Sequence, residues 1–328
     1  MVTHGPDPLE QWRPRPPPAP ATSPPPSAAP APPAPRGPDR EQAARRPRGP
    51  LLPRVQHLPA AVRDRPVTRI YVDDRVELHR GNALEVLAAL PTGSADALVT
   101  DPPYSSGGMV RGDRMQSTKV KYLRSDSGNL DALDEFAGDT RDQRAYAYWC
   151  ALWLDEALRV VKPGGVACLF TDWRQLPSTT DALQAGGWIW RGIVPWHKPA
   201  SRPQAGRFTA SCEYVVWGSN GPMPVDYAAA VLPGFYSAMP PREREHITQK
   251  PVDVMRSLVR IAPEDGVILD PFMGAGTTGV AAVLERRRFV GVEKLAAHCE
   301  TSERRIREAA LQPVPRGDQS ALDLGGAR

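Results

Sequence analysis

Apolar positions along this chain change period in a regular order. From Thr68 to His79, Ile70, Val72, Val76 and Leu78 alternate with polar residues, which predicts a hairpin or a broken strand. Ala83 to Leu90 has helical spacing and stops at Pro91, and Ala95 to Thr100 is a strand-length apolar run that delivers Asp101. Gln143 to Val161 predicts a long helix, with Tyr146, Trp149, Trp153, Ala157 and Val161 near one face and Lys162-Pro163-Gly164-Gly165 as its stop. Val166 to Asp172 then reads as a buried strand, Leu176 to Ala185 as a helix, and Trp188 to Trp196 and Glu213 to Trp217 as strands. Trp188, Trp190 and Trp196 are expected to pack in the core, and Gly218 to Glu245 reads as proline-broken and irregular. Val252 to Ile261 forms a helix with Pro251 near its first position, Val267 to Asp270 a buried strand, and Phe289 to Glu293 the last strand, after a glycine-rich turn and a helix through Leu284. Strands alternating with helices predict an α/β fold with a mostly parallel sheet.

Composition changes this picture at the ends. Of 38 prolines, 19 precede Ala61, in runs such as Pro16-Pro17-Pro18 interleaved with Ala and Ser. Such a segment buries too little apolar surface to offset its ordering entropy, so residues 1–66 are expected to be a disordered tail with polyproline II character. The tail holds 10 Arg against 5 acids, and the rest of the chain 31 basic against 32 acidic residues, so the net charge of +4 belongs to the tail. Residues 67–315 suit one large domain, with 316–328 a flexible terminus. No run of 18 apolar residues predicts a membrane span. The four cysteines are dispersed without a C-x-x-C pair, which implies neither a disulfide framework nor a metal site and suits a reducing cytoplasm.

Two long polar intervals stand out. Residues 105–144 carry Lys119, Lys121 and Arg124 beside several acids, and residues 199–245 follow Lys198 and include Arg202 and Arg207. The first reads either as a mobile basic loop that closes on a nucleic-acid backbone or as a solvated linker whose acids cancel its charge, and the second overlaps another basic loop, from Lys198 to Arg207.

Two constellations carry candidate chemistry. Asp101-Pro102-Pro103-Tyr104 follows a strand, and its prolines forbid helix and continued sheet and stiffen the turn. It reads as a plain strand–turn with a solvated Asp, or as a built site offering a carboxylate, fixed carbonyls and a ring. Downstream, Asp270 is followed by Pro271-Phe272-Met273-Gly274-Ala275-Gly276-Thr277-Thr278-Gly279, which opens a helix, and the next strand ends in Glu293. Glycines there let a ligand approach the backbone and helix N–H groups, while a strand-end acid can accept from a ribose diol. Gly274-x-Gly276-x-x-Gly279 also fits a dinucleotide fingerprint, so a nicotinamide or flavin oxidoreductase competes. Only 35 residues follow Glu293, however, and the upstream half has a site of its own. Two strand-end sites in one sheet fit a transferase with a cofactor and a separate substrate.

From about Thr68 to Arg305 the chain resembles the amino-directed DNA methyltransferases that use S-adenosylmethionine, and more narrowly their permuted (beta) group. The resemblance rests on the order of Gly81-Asn82-Ala83-Leu84, Asp101-Pro102-Pro103-Tyr104, Lys162-Pro163-Gly164-Gly165, Thr248-Gln249-Lys250-Pro251, Asp270 to Thr277, and Gly291-Val292-Glu293. It implies a Rossmann-like, mostly parallel sheet of seven strands in permuted order, with one antiparallel strand near its edge. The strand before the glycine-rich turn would lie beside the strand before Asp101.

The resemblance also implies roles. Asp101 and the Pro102 carbonyl would accept the two amino hydrogens of a base flipped from double-stranded DNA, Pro103 would stiffen the segment, and Tyr104 would stack on the base. Glu293 would hold the cofactor ribose, with Asp270, Phe272, Gly274, Gly276 and Thr277 lining its ribose and methionine portion. Thr248 and Lys250 would lie near the methionine carboxylate. Asn82 stands where many relatives have Asp, and its oxygen can still accept from the cofactor's adenine. Residues 105–144 and 199–245 become candidate DNA-contacting or target-recognition regions. The expected activity is N6-adenine methylation of DNA in a cytoplasmic protein, as in restriction–modification, because within this group a leading Asp is associated more with adenine and a leading Ser with cytosine N4. N4-cytosine methylation, RNA amino methylation and a catalytically idle DNA-binding protein remain as rivals. Cytosine C5 methylation is disfavoured, since no cysteine here follows a proline. No metal is implied, and the oligomeric state is left open.

Overall fold

The structure, a computed structural model, describes residues 68–104, 141–199, 205–206, 208–223, 231–241 and 250–312. The expectations for the tail, for residues 105–140, for Thr248, Lys119, Lys121, Arg124, Arg202 and Arg207, and for the C-terminus lie outside the described residues.

A sharp turn starts the sheet: the Asp73 carboxylate accepts from Arg75 N at 2.8 Å and also from Val76 N, folding β1 (Thr68–Val72) back on β2 (Val76–Arg80) as the expected hairpin. Helix α1 (Ala83–Ala89) is capped by Asn82, whose side chain accepts from Leu84 N. Strand β3 (Ala95–Thr100) leads to Asp101, and α2 (Gln143–Val160) runs into β4 (Val161–Thr171). Then come α3 (Leu176–Ala185), β5 (Ile189–His197), β6 (Cys212–Ser219), the two-residue β7 (Tyr236–Ser237), α4 (Val252–Val259), β8 (Val267–Asp270), α5 (Thr277–Leu284), β9 (Arg288–Glu293) and α6 (Ala296–Ala310). None of these helices is long and apolar enough to cross a membrane.

The strand order is β1-β2-β9-β8-β3-β4-β6-β5-β7. Strands β2, β9, β8, β3 and β4 are mutually parallel, and β6 runs antiparallel to both β4 and β5. The seven expected strands are therefore present with the reversed one next to the edge, and β1 and β7 extend the sheet at its two ends. Central strands are apolar throughout because both faces are covered. On β3, Ala97 and Val99 pack with Val254, Leu258, Ala281 and Ile306 of α4, α5 and α6. Leu98 points the other way, into a cluster with Leu87, Trp153, Leu154 and Leu183 of α1, α2 and α3.

Three sequence expectations change. Lys162-Pro163-Gly164-Gly165 lies inside β4, where pairing steps from Ala95↔Val161 to Ala97↔Val166, so these four residues bulge out instead of separating helix from strand. Trp188 and Trp196 are buried, donating to Leu154 O and Ala238 O, but Trp190 is 44% exposed, because this end of β5 lies beyond its short pairing with β7. Part of the interval read as irregular is β7, and α6, the last element among the described residues, packs behind the glycine-rich turn.

The β4 bulge is held by side chains. Asn220 donates to Leu158 O and Val161 O, and Asp96 joins three strands by accepting from Lys162 Nζ at 2.6 Å and from Val267 N at 2.8 Å. Gly165 fits because it lacks a side chain: a Cβ there would sit 2.6 Å from Asp96 O and 2.5 Å from Val161 Cγ1. Gly165→Ala is expected to destabilise the domain by about 1–3 kcal/mol through overpacking against backbone, read as a lowered urea midpoint.

Candidate active site

All parallel strands end at one edge, so β3, β8 and β9 bring Asp101, Asp270 and Glu293 to the same rim. Strand β8 lies between β3 and β9, which places the glycine-rich turn beside the Asp101 segment.

Lys250 is the centre of this rim. Its side chain is 5% exposed, and its Nζ donates to Asp101 Oδ2 at 2.6 Å and to Tyr104 OH at 3.3 Å. Glu213, at the start of β6, places Oε2 3.4 Å from the same ammonium and accepts from Tyr104 OH at 3.2 Å. Its other oxygen accepts from Lys198 Nζ at 2.8 Å. The Lys250 ammonium also lies 5.5 Å from the Tyr104 ring centre and 5.2 Å from that of Phe170, within cation–π range. Burial alone would drive Lys250 towards neutrality, but Asp101 and Glu213 outweigh it and raise its pKa above the ordinary lysine value. Burial would likewise raise Glu213, yet Lys250 and Lys198 hold it down to about 2.

One strand over, Asp270 anchors the glycine-rich turn. Its carboxylate accepts from Thr100 Oγ1 at 2.6 Å, Thr278 Oγ1 at 2.5 Å and Phe272 N at 3.0 Å, tying β3, the turn and α5 together. Burial pushes its pKa up to about 6 against those three hydrogen bonds. Gly276 caps α5 at φ 78° with no side-chain acceptor, and a Cβ there would meet Ser302 of α6 at 2.7 Å. Gly274 also has positive φ, 51°, but a Cβ there would point into open space. Glu293 accepts from Gly274 N, Lys294 N and Leu295 N at 3.1, 2.7 and 2.8 Å, which fixes its carboxylate next to the turn.

The remaining candidates sort around these two centres. Pro102 is buried, Pro103 half-buried, and the Tyr104 ring is buried with its hydroxyl engaged as described. Asn82 is exposed, and Gly81 N donates to Glu293 O at 2.9 Å, so Asn82 flanks the end of β9. Phe272 turns towards α2, its ring centre 5.2 Å from Trp149 and 5.0 Å from Trp153. Thr277 is buried and accepts from Arg305 of α6 at 3.2 Å. Lys198, expected on a DNA-contacting surface, is half-buried against Glu213. Lys250, expected near the methionine carboxylate, is paired with Asp101.

Sequence reasoning missed Glu213, Thr100 and Thr278. A signal for Glu213 existed: one strand was expected to run backwards, and the first residue of a reversed strand lies at the rim where parallel strands end. Among the described residues no group of three or more metal-ligating side chains converges.

Comparisons with known proteins agree with this geometry. A model of the DNA methylase family of N6 and N4 type (N6_N4_Mtase) matches residues 95–304. The chain is 25% identical over 261 residues to the type II methyltransferase M.HinfI of Haemophilus influenzae, covering 72% of this chain and 69% of that one. Among solved structures, the fold is shared with the cytosine-N4-specific PvuII DNA methyltransferase (TM-score 0.53, 17% identity, 72% and 87% of the two chains). It is also shared with a Thermus thermophilus protein described as a DNA modification methylase and solved with S-adenosyl-L-methionine (TM-score 0.50, 22% identity, 72% and 96%).

The buried Asp270 carboxyl makes stability depend on pH. Because its folded pKa is raised from 3.8 to about 6, it stabilises the fold fully below about pH 4, and that contribution is lost as pH rises through about 6. Asp270→Asn lacks this titration. The stability of the wild type relative to the variant should therefore fall between pH 4 and 7, by up to about 3 kcal/mol, in urea unfolding followed across that range.

Proposed function

The chain belongs to the N6/N4 DNA methylase family, and on that premise we propose that it methylates the N6 amino group of adenine in double-stranded DNA, with S-adenosylmethionine as methyl donor. The observation that carries the reading is the adjacency of β3 and β8, which puts the Asp101 segment next to a glycine-rich turn backed by a fixed acid at the end of β9.

The residues at that turn fit the cofactor. Gly274 leaves open space where a side chain would stand, α5 begins without a side-chain cap, and Glu293 keeps acceptor capacity beyond its three backbone donors. Glu293 would hold the ribose hydroxyls, Asn82 the adenine end, and Asp270 would keep Phe272 to Thr277 in place. When bound, S-adenosylmethionine supplies an electrophilic sulfonium methyl.

At the end of β3 the chemistry is one of alignment. The lone pair of an exocyclic amine is delocalised into its ring, so the amine is a poor nucleophile. Accepting hydrogen bonds from both of its N–H groups favours a pyramidal nitrogen with a localised lone pair. Asp101 accepts one through its carboxylate and the Pro102 carbonyl the other, in a segment stiffened by Pro103. The base must leave the duplex to reach them, and stacking on Tyr104 offsets part of that cost. Adenine is preferred on the leading Asp of the tetrapeptide, although the PvuII enzyme that shares the fold is cytosine-N4-specific. The intervals at residues 105–144 and 199–245 are proposed to contact DNA through their lysines and arginines.

Single-molecule sequencing of DNA from cells expressing the wild type or Asp101→Ala tests the reading. Modified adenines at a short motif, absent with the variant, are expected; modified cytosines, or none with folded protein, would contradict it. In purified form, Asp101→Ala should lower turnover at least about a hundredfold while leaving cofactor affinity nearly intact. Glu293→Ala should chiefly weaken cofactor binding, by about tenfold or more in calorimetric titration, and an unchanged Kd would refute its role.

A further inference from the structure

Four charges at the rim cancel in pairs. Lys250 and Lys198 face Asp101 and Glu213, and Glu213 touches both lysines and the Tyr104 hydroxyl. Asp101 has to share its carboxylate with an incoming amino group, so it cannot be the sole counter-charge of a buried ammonium. A buried lysine left with one weakened partner tends to lose its proton, and a neutral Lys250 would no longer hold Asp101 ionised. Glu213 supplies a second counter-charge, on a strand that meets the rim from the opposite direction.

We propose that Glu213 is a positioning residue for methyl transfer: it keeps Lys250 charged and in place, and so keeps Asp101 an ionised, oriented acceptor for the amino group. This rests on the methyl-transfer reading above and adds a residue to it. The Lys250 ammonium donates to Asp101 and Tyr104 and forms an ion pair with Glu213 at 3.4 Å. The Tyr104 hydroxyl donates to Glu213 while accepting from Lys250, so the same carboxylate also fixes the ring proposed to receive the base. Among the described residues, the other titratable groups around this cluster are Asp270 of β8 and Tyr146 of α2, which sense the Asp101 charge, and the buried Asp172 at the end of β4, which senses that of Glu213.

The test pairs two variants whose electrostatic effects oppose each other. Glu213→Gln removes a negative charge from beside Lys250, and Lys198→Met removes the positive charge that competes for Glu213. Nitrogen-detected NMR of the Lys250 side chain, on full-length protein, should show its titration midpoint falling by about one pH unit or more in Glu213→Gln and standing at or above the wild-type value in Lys198→Met. The high-pH limb of kcat/KM for methyl transfer to DNA should move down with the midpoint in Glu213→Gln, while the Kd for S-adenosylmethionine stays within about twofold. An unchanged Lys250 midpoint in Glu213→Gln, midpoints falling in both variants, or a loss of activity uniform across pH would overturn the proposal. A wild type that transfers no methyl group would sink the activity reading, whereas the Lys250 titration judges the charge cluster independently of activity.

Discussion

A buried ammonium is the constraint around which this rim is built. Lys250 sits almost out of water, where an unpaired charge would cost several kcal/mol. It is tolerated because acids converge on it from two strands, Asp101 from the end of β3 and Glu213 from the start of β6. That convergence needs the mixed sheet: a parallel strand delivers its last residue to the rim, and a reversed strand its first. The arrangement is therefore a consequence of topology as much as of sequence. Asp101, Tyr104, Glu213 and Lys250 are separated by up to 149 positions along the chain and meet only when β3, β4 and β6 are in register.

The neighbouring centre follows a different logic. Asp270 is buried without a cation and is satisfied by two hydroxyls and a backbone N–H, which leaves its carboxyl prone to protonation. Its work is mechanical: it pins the start of the glycine-rich turn to β3 and to α5, so that the spacing between the two candidate sites is set by adjacent strands of one sheet. Glu293 fixes the other side of the turn through Gly274 N. A proposed methyl donor and a proposed acceptor are thus placed by rigid elements, as alignment-dominated chemistry requires.

Much of this was legible in the sequence because the central strands announce themselves as apolar runs ending in acids. Val267 to Asp270 and Ala95 to Thr100 were both readable with their bounds intact. The permuted sheet was implied by the family resemblance that the order of motifs carries. What escaped were features that depend on direction and partner. Glu213 looked like an ordinary strand residue until the reversed course of β6 put it at the rim. Lys162-Pro163-Gly164-Gly165 carries the composition of a helix stop, yet Asn220 and Asp96 hold it as a bulge within β4. Trp190 has the side chain of a core residue on a stretch of edge strand that β7 is too short to cover.

The proposal stands on a carboxylate and a proline carbonyl aligning an exocyclic amine of a flipped base with a methyl donor. Nucleoside mass spectrometry of duplex DNA incubated with purified protein and methyl-labelled S-adenosylmethionine tests that most directly. The account predicts labelled N6-methyldeoxyadenosine. Label found only in N4-methyldeoxycytidine would contradict the adenine assignment, and unlabelled nucleosides from a folded, cofactor-binding protein would contradict methyl transfer to DNA altogether.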